Sequence, residues 1–169
     1  MRYAGAILLG ITAAMIGQLL ALRLKKRIKI LTEILLFISA VKNEIEFNRK
    51  PIVSIFSENI GRSFMKSLSF VSDCVVLTES GEDFKTAWNE SIKNSNLLSV
   101  LSDQDVQLLL SYGYQLGTTD VSGQINLCTL YQDLFEERLR NARKFEEHYG
   151  KIYRQSGIFI GTAIIILIL

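Results

Sequence analysis

No residue from Tyr3 to Leu22 carries a formal charge, and none from Ser156 to Leu169 does either. Apart from Arg2, every charged side chain lies between these two stretches. A helix rises about 1.5 Å per residue, so the first stretch extends about 30 Å, the thickness of a bilayer's hydrocarbon core. The pattern predicts an N-terminal transmembrane anchor over 1–22, a cytosolic domain over 23–155 and a C-terminal membrane anchor over 156–169. The second anchor has only fourteen residues, a rise of about 21 Å. It spans if Ile152 and Tyr153 enter the membrane while Lys151 and Arg154 snorkel to the headgroups, or if the bilayer thins.

The flanking charges give an orientation. Arg23, Lys25, Lys26, Arg27 and Lys29 follow the first apolar stretch, and Arg138, Arg140, Arg143, Lys144, Lys151 and Arg154 precede the second. Clustered bases resist translocation, so both borders predict a central domain in the cytosol and both termini on the opposite side. The first stretch is longer than a signal-peptide core and has no convincing A-x-A cleavage pattern, so it reads as a retained anchor. A specific anionic-lipid site at Arg23 to Lys29 is the competing reading, but topology control and general headgroup attraction explain the cluster at lower cost.

A net charge of +2 conceals a polarised chain. From Ile30 to Glu137 there are seven basic residues against 15 acidic, a net −8. Such a surface excludes nucleic acid as a partner. Cys74 and Cys128 have no C-x-x-C spacing and read as small buried apolar residues in a reducing compartment. His148 is the only histidine, which leaves no cluster for a metal or a triad. Walker, G-x-S-x-G, H-E-x-x-H and G-x-G-x-x-G patterns are missing, so no enzyme, cofactor or metal is expected. The adjacent acids Glu82/Asp83, Glu136/Glu137 and Glu146/Glu147 diverge by about 100° on a helix and belong to solvated faces.

Apolar spacing is helical almost throughout. Leu31, Ile34, Leu35, Ile38, Val41 and Ile45 form the stripe of a helix that runs on from the first anchor to about Asn48. Pro51 suits the first turn of a second helix whose buried side is Ile52, Ile55, Phe56 and Ile60, ended by Gly61. A third helix carries Phe64, Leu68, Val71 and Val75. A fourth carries Phe84, Ala87, Trp88 and Ile92, and Asn94-Ser95-Asn96 reads as a loop. Ser102 with Asp105 resembles a capping box opening a fifth helix through Leu109 and Leu110, with Gly117 as its C′ residue. Asp120 or Ser122 caps a long last helix through Ile125, Leu127, Leu130, Leu134, Leu139 and Phe145, leading into the second anchor. The expected fold is all-α: an antiparallel bundle of about six helices between two membrane anchor helices.

Small residues mark helix contacts in both anchors. Gly157 and Gly161 form a G-x-x-x-G pair; Gly10 falls at spacing four with Ala6 and Ala14, and Gly17 with Ala13. The simplest contact joins the two anchors of one chain. In the central domain, Gly117 with Asp120 predicts a tight helix–helix corner, to which Gln124 can hydrogen-bond back. The alternative for Gly113, Gly117, Asp120 and Gln124 is a partner-binding surface.

The order of features resembles the stage III sporulation protein AB family of endospore-forming bacteria. The resemblance covers essentially the full length: the glycine-bearing first anchor closed by Arg23, Glu44-Ile45, Pro51-Ile52, Ala87-Trp88, the run Gly113-Tyr114-Gln115-Leu116-Gly117-Thr118-Thr119-Asp120 with Gln124, and Gly157 with Gly161. Thr119 stands where serine is more usual, and Ile52 where leucine is. The resemblance implies a non-enzymatic scaffold whose helical domain is similar to the cytosolic domain of the type II secretion F component. It implies membership in an envelope-spanning complex in the mother-cell/outer forespore membrane. The partners it implies are the other subunits of that complex, a companion cytosolic ATPase and the lipid bilayer. The competing readings are a lipid-binding or membrane-shaping helical protein and a membrane-anchored enzyme.

Overall fold

The computed structural model describes the backbone of residues 2–48 and 50–168, and the side chains of residues 12, 15–48, 50–63, 65–153, 155, 156 and 159. Among the described residues, six helices follow one another: α1 (Arg2–Asn48), α2 (Ile52–Asn59), α3 (Ser69–Glu79), α4 (Phe84–Lys93), α5 (Asp103–Gln115) and α6 (Val121–Ile168). Short 3₁₀ turns occupy Ser63–Met65 and Asn96–Ser99. The fold is all-α, with no strand among the described residues. The chain divides into two compact units, Lys29–Leu139 and the pair of segments Met1–Ile28 and Arg140–Leu169.

In the Lys29–Leu139 unit, the α1 stripe is buried at Leu31, Ile34, Ile38, Val41 and Ile45, as its spacing predicts. Leu35 is only half-buried, and on α2 Ile55 and Phe56 are buried while Ile52 is half-buried and Ile60, at the helix end, is exposed. Phe37 is fully buried and meets the Phe56 ring of α2 edge-on at 5.0 Å. The third helix begins later than expected. Phe64 lies in the Ser63–Met65 turn, its side chain outside the described residues, and α3 starts at Ser69. The cause is a distant carboxylate: buried Glu33 of α1 accepts from Ser67 N at 2.7 Å and Ser67 Oγ at 3.1 Å. These bonds hold the approach to α3, whose own N-cap residue, Leu68, supplies no side-chain bond.

On the last helix the buried face is mostly not supplied by the apolar residues that mark it in sequence. Gln124, Cys128, Tyr131, Phe135 and Leu139 are buried, at helical spacing. Ile125, Leu127 and Leu134 are half-buried, while Leu130 and Phe145 are 53% and 41% exposed. Polar bonds fix this face. Tyr131 OH accepts from Gln115 Nε2 at 2.7 Å, and Gln132 Nε2 donates to Ser39 Oγ of α1 at 2.6 Å.

In the other unit, Gly17 and Ala21 of α1 are buried, whereas Met15, Ile16, Leu19, Leu20 and Leu22 are 40–61% exposed. Small residues thus face inward and large apolar ones outward. Among the described residues, no helix is long and apolar enough to cross a membrane. Most side chains of the two expected anchors, including Gly10, Gly157 and Gly161, lie outside the described residues.

Candidate functional site

The side chain around which the larger unit is organised is Trp88, in the middle of α4. It is fully buried, with the rings of Phe56, Phe70, Phe84 and Tyr112 at 5.7, 5.2, 6.1 and 6.2 Å. Its Nε1–H donates to the Leu109 carbonyl of α5 at 3.1 Å. That approach depends on Gly113, one turn further along α5. A Cβ at Gly113 would overlap Trp88 Nε1, Cδ1 and Cε2, well inside the 3.0 Å limit of real Cβ contacts. Beside Gly113 on α5, Tyr112 also meets the Tyr131 ring at 5.2 Å and shares a hydrogen bond with Cys128 Sγ at 3.5 Å. An aromatic line from Phe37 to Tyr131 therefore ties α1, α2, α4, α5 and α6 together.

The α5–α6 corner is built from its own loop. α5 closes on Leu116 in extended conformation, and Gly117 follows at φ +80°, where an L side chain is strained. Among the described residues, the Gly117 amide bonds to no helix carbonyl. It donates instead to Gln124 Oε1 at 2.9 Å, and Gln124 Nε2 donates to Thr119 Oγ1 at 2.9 Å. A serine at 119 would offer the same hydroxyl. Asp120 Oδ1 accepts from Gly123 N at 3.0 Å, so Asp120, rather than Ser122, caps α6. Gly117, Asp120 and Gln124 thus converge, and Gly113 serves the neighbouring Trp88 contact.

This geometry sets an expected outcome. Gly117→Ala should destabilise the domain by about 1 kcal/mol or more through strain at positive φ. Asp120→Ala should cost about 0.5–2 kcal/mol through the lost cap. Urea unfolding measures both, and co-purification with partners separates the two roles of the corner. An Asp120→Ala protein of unchanged stability that no longer assembles would assign Asp120 to a docking surface.

A second polar link was not legible as such. Ser102 and Asp105 form the expected capping box: Ser102 Oγ accepts from Asp105 N at 3.3 Å, and Asp105 Oδ2 accepts from Ser102 N at 3.0 Å. Asp105 is also fully buried, with Arg138 Nε at 3.5 Å from its Oδ1. Arg138 NH2 further donates to Gln104 Oε1 at 2.7 Å. The charge count places Arg138 with the membrane-border bases, but its guanidinium joins α6 to the start of α5. The signal that points to this pairing is the second acid of the box, which needs a cation when it is buried.

Of the border bases, Lys29 Nζ lies 3.7 Å from Glu33 Oε1. Lys25 and Lys151 line a cavity of about 300 Å³ with Glu146, Glu147 and Gly150. Lys26 is exposed, and the Arg154 side chain lies outside the described residues. Among the described residues, no group of three or more His, Cys, Asp or Glu side chains is placed to hold a metal ion.

Cys74 and Cys128 are both buried free thiols. Burial pushes the Cys74 thiol up to about 11, against smaller opposing effects of the Thr78 and Ser91 hydroxyls, and also raises Cys128. A folded-state value above the unfolded one stabilises the fold fully below the unfolded value and loses that stability as pH rises through the folded one. For Cys74 that window is pH 9 to about 11. The urea midpoint should hold from pH 7 to about 9, then fall. Cys74→Ala should remove up to about 3 kcal/mol of that fall.

No curated protein and no solved structure matches the chain. The family described as Stage III sporulation protein AB matches it over residues 2–169. A glycine-to-glutamine corner, an Ala87-Trp88 core and glycine-bearing ends are thus features of one continuous match, and the chain belongs to the stage III sporulation protein AB family.

Proposed function

We propose that this sporulation protein is a non-enzymatic membrane-platform component of the complex spanning the mother cell–forespore envelope. Its helical unit would dock a cytosolic ATPase and pass the motion or assembly state of that partner to other membrane subunits. The observation that carries this reading is helix continuity. α1 and α6 supply core residues such as Phe37, Ile38, Tyr131 and Phe135, and the same two helices run unbroken into the uncharged ends of the chain. The outward-facing large side chains of 15–22, with Gly17 and Ala21 turned inward, support burial of that segment in lipid, where small residues mediate helix contacts. The net −8 of the central residues suits a basic face on the partner.

The test has two readouts. In vegetative cells expressing the chain, an impermeant maleimide applied from outside should label a cysteine added beside Met1 and spare Glu90→Cys. Because both native thiols are buried, they leave the assay quiet. From sporulating cells, affinity purification should recover the ATPase and other envelope subunits. Labelling of Glu90→Cys would overturn the orientation, and recovery of neither partner class would overturn the platform role.

A further inference from the structure

We propose that the cavity lined by Lys25, Glu146, Glu147, Gly150 and Lys151 binds a zwitterionic headgroup, a phosphate joined to a primary ammonium, as carried by phosphatidylethanolamine. The inference deepens the membrane reading above and rests on it. The cavity lies within the unit formed by Met1–Ile28 and Arg140–Leu169, with one wall from α1 and the other from α6, and measures about 300 Å³. Two ammonium and two carboxylate side chains line it. Among the described residues, these four groups form no ion pair within 4.0 Å with one another.

The ligand class follows from the mixture of charge. A phosphate monoanion attracts Lys25 and Lys151 as point charges. An anionic headgroup with no cation of its own would set that phosphate beside Glu146 and Glu147 with nothing to offset the repulsion. A headgroup carrying phosphate and ammonium satisfies both pairs together. The carboxylates accept N–H bonds, which a primary ammonium donates and a quaternary one does not. Gly150 is buried beside them, and a Cβ there would lie 3.1 Å from Glu146 Oε1, so the absent side chain keeps that wall open.

A separate feature places the cavity at headgroup level. Phe145, Tyr149 and Tyr153 run along α6 over the same turns, with ring centroids 4.4 and 6.3 Å apart. Phe145 and Tyr149 are 41% and 39% exposed. Exposed tyrosines beside lysines mark the membrane–water interface.

The full chain, exchanged into nanodiscs of equal phosphatidylethanolamine and phosphatidylglycerol, provides the test, with native mass spectrometry reading the lipids retained. Phosphatidylethanolamine should be retained about tenfold over phosphatidylglycerol, the scale of a charge-assisted hydrogen-bond pair. The double variant Glu146→Gln/Glu147→Gln should reverse that preference, and Lys25→Gln/Lys151→Gln should lower retention of both lipids. Equal retention by the unaltered chain, or a preference that survives the double glutamine variant, overturns the proposal. Should alkaline carbonate strip the chain from membranes without detergent, it is the membrane reading that fails. Titration of the stripped chain with free phosphoethanolamine then decides the cavity. Saturable binding lost in the glutamine variant supports a soluble source of the same headgroup, and no binding overturns the site.

Discussion

Replacing Trp88 with alanine should bring the domain close to unfolding. The indole is fully buried and packs against four aromatic rings. Truncating a buried tryptophan costs about 3–5 kcal/mol, a large part of the roughly 5–15 kcal/mol that holds a typical domain together. Trp88→Phe keeps most of the ring contact and loses the bond to Leu109, so its cost should be nearer 1–3 kcal/mol. Since Trp88 is the only tryptophan, its fluorescence reports this core in the unaltered chain, and far-ultraviolet circular dichroism follows unfolding of both variants. A Trp88→Ala protein that unfolds within about 1 kcal/mol of the original would remove Trp88 from the centre of the fold.

Helix ends were legible because their chemistry is local. Pro51, the Ser102–Asp105 box, Gly117 and Asp120 each act on backbone groups within a few residues, and the structure places all of them at helix termini. The side of each helix that is buried was legible only where apolar residues supply it. On α1 the stripe from Leu31 to Ile45 carries nearly the whole core face. On α6 the core face is Gln124, Cys128, Tyr131, Phe135 and Leu139, and of these only Leu139 belongs to the apolar series that marks the helix in sequence. The bonds that set this face join residues 16 and 93 positions apart, and no local pattern encodes them. The same holds for Glu33, which restrains Ser67 from 34 residues away and delays α3.

The family resemblance gains a physical meaning from the same comparison. Its run from Gly113 to Gln124 reads in sequence as a single corner. The structure divides it into two devices. Gly117, Asp120 and Gln124 turn the chain from α5 to α6, whereas Gly113 lets α4 approach α5. Trp88 and Gly113, 25 residues apart, are therefore two sides of one contact.

Gly113→Ala should accordingly be far more damaging than its position suggests. Within an exposed helix, Gly to Ala stabilises by up to about 1 kcal/mol. At Gly113 the new methyl would occupy the volume of the indole ring, and the ring cannot retreat: Leu109 holds its Nε1, and Phe56, Phe70 and Phe84 stand around it. Either α4 and α5 separate or the tryptophan leaves its rotamer. Overpacking of this kind costs about 1–3 kcal/mol where neighbours can yield, and here the expectation is the upper end or beyond. A double-mutant cycle tests the cause. Trp88→Phe removes atoms that the methyl would strike, so adding Gly113→Ala to Trp88→Phe should cost at least about 1 kcal/mol less than adding it to the original chain. If the two substitutions are additive, the damage at Gly113 comes from elsewhere and the close approach of α4 to α5 is not what that glycine serves.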